Sequence, residues 1–378
     1  MNVPKKYNIK MKISIITRHA PNNYGSLLQT IATEKIIAKL GHTAEIVDYI
    51  REDESGLKGL LTLLSHKSGW NNSVFKKWLY IALRYPGDRW AQAKFSKMRK
   101  KYLIMSKRYQ SLEDLKNDCP KADVYMTGSD QVWGPITTGY HDSAYFLSYV
   151  DDKAKKIAYA GSFGRTDFTK AILKEYAQML ARYHAITVRE NSAVTLLEEM
   201  ELKCAGQVLD PTLLLDKEEW MHFIHKEIQG RYVLVYQIHN NPILDRYAMK
   251  FAKHVGLPLY RVSPSLHQIM RGGKFIFLPD VGEFLSYINN ATYIVTDSFH
   301  GTAFSINFNK QFIEILPNTK TGSRNQSILQ LTGLQDRIVT DYNDFSIATK
   351  MIDYTFVNGI IKEERKKSYC ILKRIIEE

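Results

Sequence analysis

Residues 291–308, ATYIVTDSFHGTAFSINF, decide how the rest of the chain is read. The run 291–296 is β-branched and aromatic, which predicts a short buried strand, and 301–307 has the small and apolar spacing of a helix packed on a sheet. Between them stands Asp297-Ser298-Phe299-His300. A strand that feeds a helix through a short polar turn places that turn at the carboxyl end of a sheet, where open α/β folds bind their ligands. His300 then lies beside the first free N–H groups of a helix, a natural anion site. The plainer alternative is a hydrogen-bonded histidine with a structural role.

The same alternation recurs outward from this stretch. Strands are predicted at 12–17, 43–48, 122–126, 156–160 and 185–188, with helices at 25–40, 169–182 and 191–200. The first half ends at Asp210-Pro211, where proline bars further regular pairing. A second half repeats the order, with strands at 232–237, 259–262 and 312–316 besides the opening one, and helices at 243–255, 280–290 and 323–332. Residues 263–274 read as a loop and 344–378 as one or two helices of mixed charge. The expected fold is α/β, with two Rossmann-like domains facing across a cleft. The expected division is 1–210 for the N-terminal domain, 211–343 for the C-terminal domain, and 344–378 as helices packing back on the first.

The 378 residues, 44% hydrophobic and 24% charged, suit a soluble two-domain protein. Cys119, Cys204 and Cys370 lie far apart, so the spacing offers neither a disulfide framework nor a zinc site, and a cytoplasmic location is expected. The run MKISIIT alternates like a strand and then meets Arg18 and His19, so no signal peptide is read, and no segment is apolar enough to span a membrane.

The net charge of +13 is concentrated. Residues 55–110 hold 13 Lys and Arg against the single acid Asp88, which leaves the remainder near neutrality. Trp70, Trp78, Tyr80, Tyr85 and Trp90 share that segment. It is expected to be a helical basic insertion, one helix starting at the Pro86-Gly87 break, the whole ending before a cap at Ser111. Two readings of it stay open: a solvated basic face over core-facing aromatics, or a surface for anionic membrane, which would make the protein peripheral. No nucleic-acid motif accompanies the charge, and no nucleic-acid partner is expected.

Four strand-end loops carry concentrated polar residues. Asn23-Tyr24-Gly25-Ser26, with Gln29 one turn into the helix, suits an anionic or sugar ligand because glycine permits close backbone approach. Asp130, Gln131 and Trp133 lie in a glycine-bounded turn suited to holding a sugar ring, unless Asp130 merely caps a helix and Trp133 fills the core. Arg189, just past a strand, offers a bidentate fork for phosphate or carboxylate, unless Glu190 takes it. The fourth is the opening turn, beyond which Lys320 and Arg324 add two cations at a helix start.

Six motifs then stand in order: Asn23-Tyr24-Gly25-Ser26-Leu27-Leu28-Gln29, Gly128-Ser129-Asp130-Gln131-Val132-Trp133, Tyr159-Ala160-Gly161-Ser162-Phe163-Gly164, Arg189-Glu190 with Ser192, Asp210-Pro211-Thr212-Leu213-Leu214, and Thr296-Asp297-Ser298-Phe299-His300-Gly301-Thr302-Ala303-Phe304-Ser305. Together they resemble the polysaccharide pyruvyl transferase family over about residues 12–337. The resemblance explains the basic insertion least. It implies a GT-B-like fold, phosphoenolpyruvate as donor, and a sugar hydroxyl pair of a surface polysaccharide or its lipid-linked precursor as acceptor, forming a pyruvate ketal. It implies donor-site roles for Arg189 and His300. Some members carry an arginine where this chain has Ser298, so Arg324 or Lys320 is expected to supply that charge.

The resulting expectation puts His300 and Asp297 in catalysis. Arg189, Ser298, Gly301, Thr302, Lys320 and Arg324 would hold the donor. Asn23, Tyr24, Gly25, Gln29, Asp130, Gln131 and Trp133 would hold the acceptor. Neither a metal nor a cofactor is called for, because arginines can neutralise a phosphate. A GT-B glycosyltransferase using a nucleotide sugar, or a non-catalytic glycan- or membrane-binding protein, are the alternatives.

Overall fold

The computed structural model describes residues 10–65, 67–136, 139, 141–317 and 322–378. Among these, seven strands form a first sheet: β1 (Lys12–Ile16), β2 (Thr43–Tyr49), β3 (Met105–Tyr109), β4 (Val124–Thr127), β5 (Lys155–Gly161), β6 (Ala185–Val188) and β7 (Gly206–Gln207). A second sheet holds β8 (Val233–Tyr236), β9 (Leu259–Ser263), β10 (Lys274–Phe277), β11 (Tyr293–Thr296) and β12 (Gln311–Glu314). Strand order is β3-β2-β1-β4-β5-β6-β7 and β10-β9-β8-β11-β12, and the paired strands run parallel. β4 (VYMT) and β8 (VLVY) are buried throughout, as expected of strands covered by helices on both faces.

The helix Tyr24–Lys39 is buried almost all round because it lies between the two halves. Tyr24 stacks on Phe284 of the second half at 4.3 Å and donates its hydroxyl to the Pro279 carbonyl at 2.5 Å. One apolar core therefore runs through both halves. The helix Tyr354–Glu377 returns to the first sheet: Lys155 donates to the Ile376 carbonyl, and Ser368 Oγ accepts from the Leu209 N–H.

The basic segment departs from expectation in two ways. Its end is strand β3 rather than helix, an edge strand whose exposed Lys107 and Arg108 hid the pattern. Its main helix, Val74–Tyr102, runs straight through Pro86 instead of starting there. The proline removes one hydrogen bond, but the helix is held on both sides of it. Tyr80 packs with Leu60 and Leu64, Gly87 lies against Leu266, and Trp90 approaches Phe277. The edge strands β7 and β10 also escaped the sequence reading. β7 has only two residues, and β10 follows Gly272-Gly273, both with φ of 83°.

Candidate active site

Strand order reverses between β1 and β4 in one sheet and between β8 and β11 in the other. Such switch points leave a crevice at the carboxyl ends of the strands. The loops leaving these four strands, joined by the turn after β12, line one cavity of about 180 Å³. Arg18, Asn23 and Ser26 come from the first loop, Asp130 and Gln131 from the second, His239 from the third, Asp297 to His300 from the fourth, and Arg324 and Asn325 from the last.

His300 is buried in the first turn of the helix Phe299–Asn307. Its Nε2 has no hydrogen-bond partner and lies 3.9 Å from Asp210 Oδ2. Burial lowers the imidazole pKa, Arg189 and Arg324 add to the shift, and Asp210 and Asp130 partly offset it. Gly25 makes room for the ring, since a Cβ there would sit 2.2 Å from His300 Nδ1. The close approach that glycine permits at this position is thus to an imidazole, not to a ligand.

Asp130 sits at φ 79°, in the left-handed region that aspartate tolerates better than most residues. Its carboxylate accepts from Ser26 Oγ at 2.8 Å and its own neighbour's N–H, with Arg189 at 3.4 Å and Arg324 at 3.8 Å. Burial opposes its ionisation, but Arg189, His300 and Arg324 outweigh burial and hold it below the usual carboxylate range. Asp210 caps the short helix Pro211–Leu214 through one oxygen and accepts from Ser129 Oγ and Arg189 through the other. It too is held low, burial being overcome by His300 and Arg189.

Arg189 lies beneath the cavity, its guanidinium 2.7 Å from Asp210 and flanked by Asp130 and Glu190, with only its Nε lacking a hydrogen-bond partner. The expected free fork is therefore taken by carboxylates, and Arg189 is a counter-ion rather than an open ligand for an anion. Arg324 is the cation that faces the cavity. Its Nε is buried without a partner, and burial beside Arg189 lowers its pKa to about 10. Arg18, read in the sequence only as a charge that follows the first strand, joins it, with Nη1 unpartnered and Glu54 at 3.7 Å. Asp210 and His239 were likewise unread as site residues; a carboxylate before proline at a strand end was the available signal for the first.

Other expected site residues serve the frame. Both Asp297 oxygens accept backbone N–H groups of Ile238 and His239, so Asp297 fixes the loop after β8 instead of orienting His300. Ser298 caps the helix Phe299–Asn307, its Oγ accepting from the Gly301 N–H at 3.3 Å. Gly301 packs so closely that a Cβ would meet Thr296 Oγ1 at 2.2 Å, and Thr302 donates to the buried Glu314. Trp133 is fully buried against Phe163 and Phe146, Tyr24 forms the interdomain stack, and the Gln29 amide donates to Thr17 and Ser26. None of these three offers a face to an acceptor, because the core and the helix interior claim them. Asn23 and Gln131 do line the cavity. Lys320 lies outside the described residues. Among the described residues no group of three or more His, Cys, Asp or Glu is placed to hold a metal ion.

A family model described as Polysaccharide pyruvyl transferase matches residues 23–318. A search of curated proteins found no match. Among solved structures, a protein assigned as a UDP-N-acetylglucosamine 2-epimerase from Listeria monocytogenes superposes with a TM-score of 0.50 at 10% identity, covering 96% of this chain and 90% of its own. The UDP-N-acetylglucosamine 2-epimerase of Neisseria meningitidis, bound to UDP-N-acetylglucosamine, gives 0.47 at 11% identity, covering 94% and 98%. The first likeness is one of fold alone, that of two facing α/β domains.

Proposed function

The chain belongs to the polysaccharide pyruvyl transferase family, and from that premise we propose that it transfers the pyruvyl group of phosphoenolpyruvate to a pair of sugar hydroxyls as a cyclic ketal. One observation supports the donor in particular. Arg18 Nη1, Arg324 Nε and His300 Nε2 are all buried, all without partners, and all belong to residues lining one small cavity. Buried unpaired polar atoms are costly unless a ligand satisfies them, and a molecule carrying phosphate and carboxylate suits two guanidinium groups.

The chemistry follows from a neutral histidine. One sugar hydroxyl adds to C2 of the enol as its proton passes to His300, the C2–C3 π electron pair moving to the methylene carbon. The imidazolium delivers that proton to the methylene carbon, which becomes a methyl group. Phosphate then leaves with the C–O electron pair, Arg18 and Arg324 stabilising its charge. The second hydroxyl closes the ring on the oxocarbenium centre, and its proton departs with phosphate. Asp210 and Asp130 stabilise the imidazolium while it exists.

Thermal unfolding with each donor tests this assignment. Phosphoenolpyruvate should raise the melting temperature where UDP-sugars do not, and Arg324→Gln should weaken its binding by roughly ten- to a hundredfold, the range of a charge-assisted hydrogen bond. Stabilisation by a UDP-sugar with no response to phosphoenolpyruvate would overturn it in favour of a glycosyltransferase.

A further inference from the structure

The helix Val74–Tyr102 turns an apolar face outward. Phe75, Trp78, Leu79, Leu83 and Trp90 follow a three- and four-residue spacing that puts them on one side of a helix. They are 75%, 64%, 40%, 64% and 62% exposed. The opposite side is satisfied by Tyr80, Ala91 and Phe95, which are buried. An ordinary surface helix has one apolar face and buries it; this one has two and leaves the second uncovered.

The charge on that second face is one-sided. Continued along the helix, the same spacing brings up Lys97, Lys100 and Lys101, all exposed. Lys76 and Arg89, also exposed, flank the stripe. The helix's one acid, Asp88, is turned toward Arg84 at 3.9 Å. Arg99 belongs elsewhere, since it is buried and donates to the Ala20 carbonyl at 3.2 Å. The segment of the second domain against which the helix packs exposes Ile269 and Met270 as well.

We propose that this helix docks the protein on an anionic lipid bilayer, lying in the interface with Trp78, Leu83 and Trp90 inserted among the headgroups and acyl ends. Charge complementarity selects the occupant. A rim of lysines without acids fits a negatively charged lipid surface, and exposed tryptophans are the residues that settle at the boundary between water and acyl chain. Among the described residues no helix is long and apolar enough to cross a membrane, so the association lies on the surface and is sensitive to salt.

Cosedimentation of the full chain with phosphatidylglycerol-containing and pure phosphatidylcholine vesicles tests the proposal without reference to catalysis. Binding should occur to the anionic vesicles alone and fall with added salt. Lys97→Gln, Lys100→Gln and Lys101→Gln together should weaken it about a hundredfold, the attraction of three surface charges. Trp78→Ser with Leu83→Ser should abolish it, and both positions are exposed enough to leave the fold intact. Equal binding to neutral vesicles, no binding to anionic ones, or variants that bind as the parent does would overturn the proposal. So would light scattering that shows a dimer which Trp78→Ser with Leu83→Ser makes monomeric while vesicles are ignored, for the stripe would then cover a second copy.

Discussion

In the proposed reaction His300 takes up the hydroxyl proton, a role that suits a side chain whose surroundings favour the neutral form. Burial lowers its pKa below the ordinary 6.5, with the arginines adding and the two aspartates subtracting. kcat/KM should therefore rise with pH along an acid limb centred below pH 6.5 and stay level above it. His300→Asn should remove the limb and lower turnover by about a hundredfold or more. A limb above 6.5, or one that survives the substitution, contradicts the assignment. The same shift acts on stability: the unfolded chain binds this proton more readily than the native one, so the contribution is complete above pH 6.5 and declines below it. Gly25→Ala probes the ring's position independently, since the new Cβ would lie 2.2 Å from Nδ1. Turnover should drop about a hundredfold, a displacement of the order of an ångström being enough, and the unfolding midpoint should fall too, by the roughly 1–3 kcal/mol that overpacking a buried site costs; unchanged turnover would show the ring's place to be immaterial.

At the scale of elements, the strand, turn and helix from β11 to Asn307 were legible because each signal is local. The β-branched run, the polar turn and the small, apolar helix spacing all sit within a few residues of one another, whereas the cap made by Ser298 and the close packing of Gly301 emerge only in the structure. Ser298→Ala should cost about 1 kcal/mol in urea unfolding through the lost cap. Three of the four edge strands were not legible: β3 wears cations, β7 is two residues long and β10 follows two glycines, while β12 was read. The glycine-bounded turn after β4 was found, but its residues divide in a way that local sequence cannot express. Asp130 turns to the cavity and Trp133 to the core. Trp133→Ala should accordingly destabilise the fold by roughly 3–5 kcal/mol, the cost of emptying a large core position, whereas a residue that only stacked on a sugar would leave stability unchanged.

Across the whole molecule, the cleft is assembled from five loops, and its pairings span great separations in sequence. Ser129 meets Asp210, Ser26 meets Asp130, and Asp210 lies beside His300. Two domains around a cleft could be read from alternating periodicities; the pairing of Arg189 with carboxylates and the unpartnered Arg18 Nη1 and Arg324 Nε could not, because they depend on those distant pairings. The insertion ties into the same plan. A second cavity of about 200 Å³ lies between it and the cleft, lined by Leu60, Tyr85 and Arg89, and it shares Pro21 with the site. The most direct test incubates the protein with phosphoenolpyruvate and polysaccharide or lipid-linked acceptors, following phosphate and the acceptor's mass together. One phosphate should be released for each acceptor that gains one pyruvate less one water, as an acid-labile ketal. An acceptor modified from a UDP-sugar, with phosphoenolpyruvate left unconsumed, would contradict the proposed transfer.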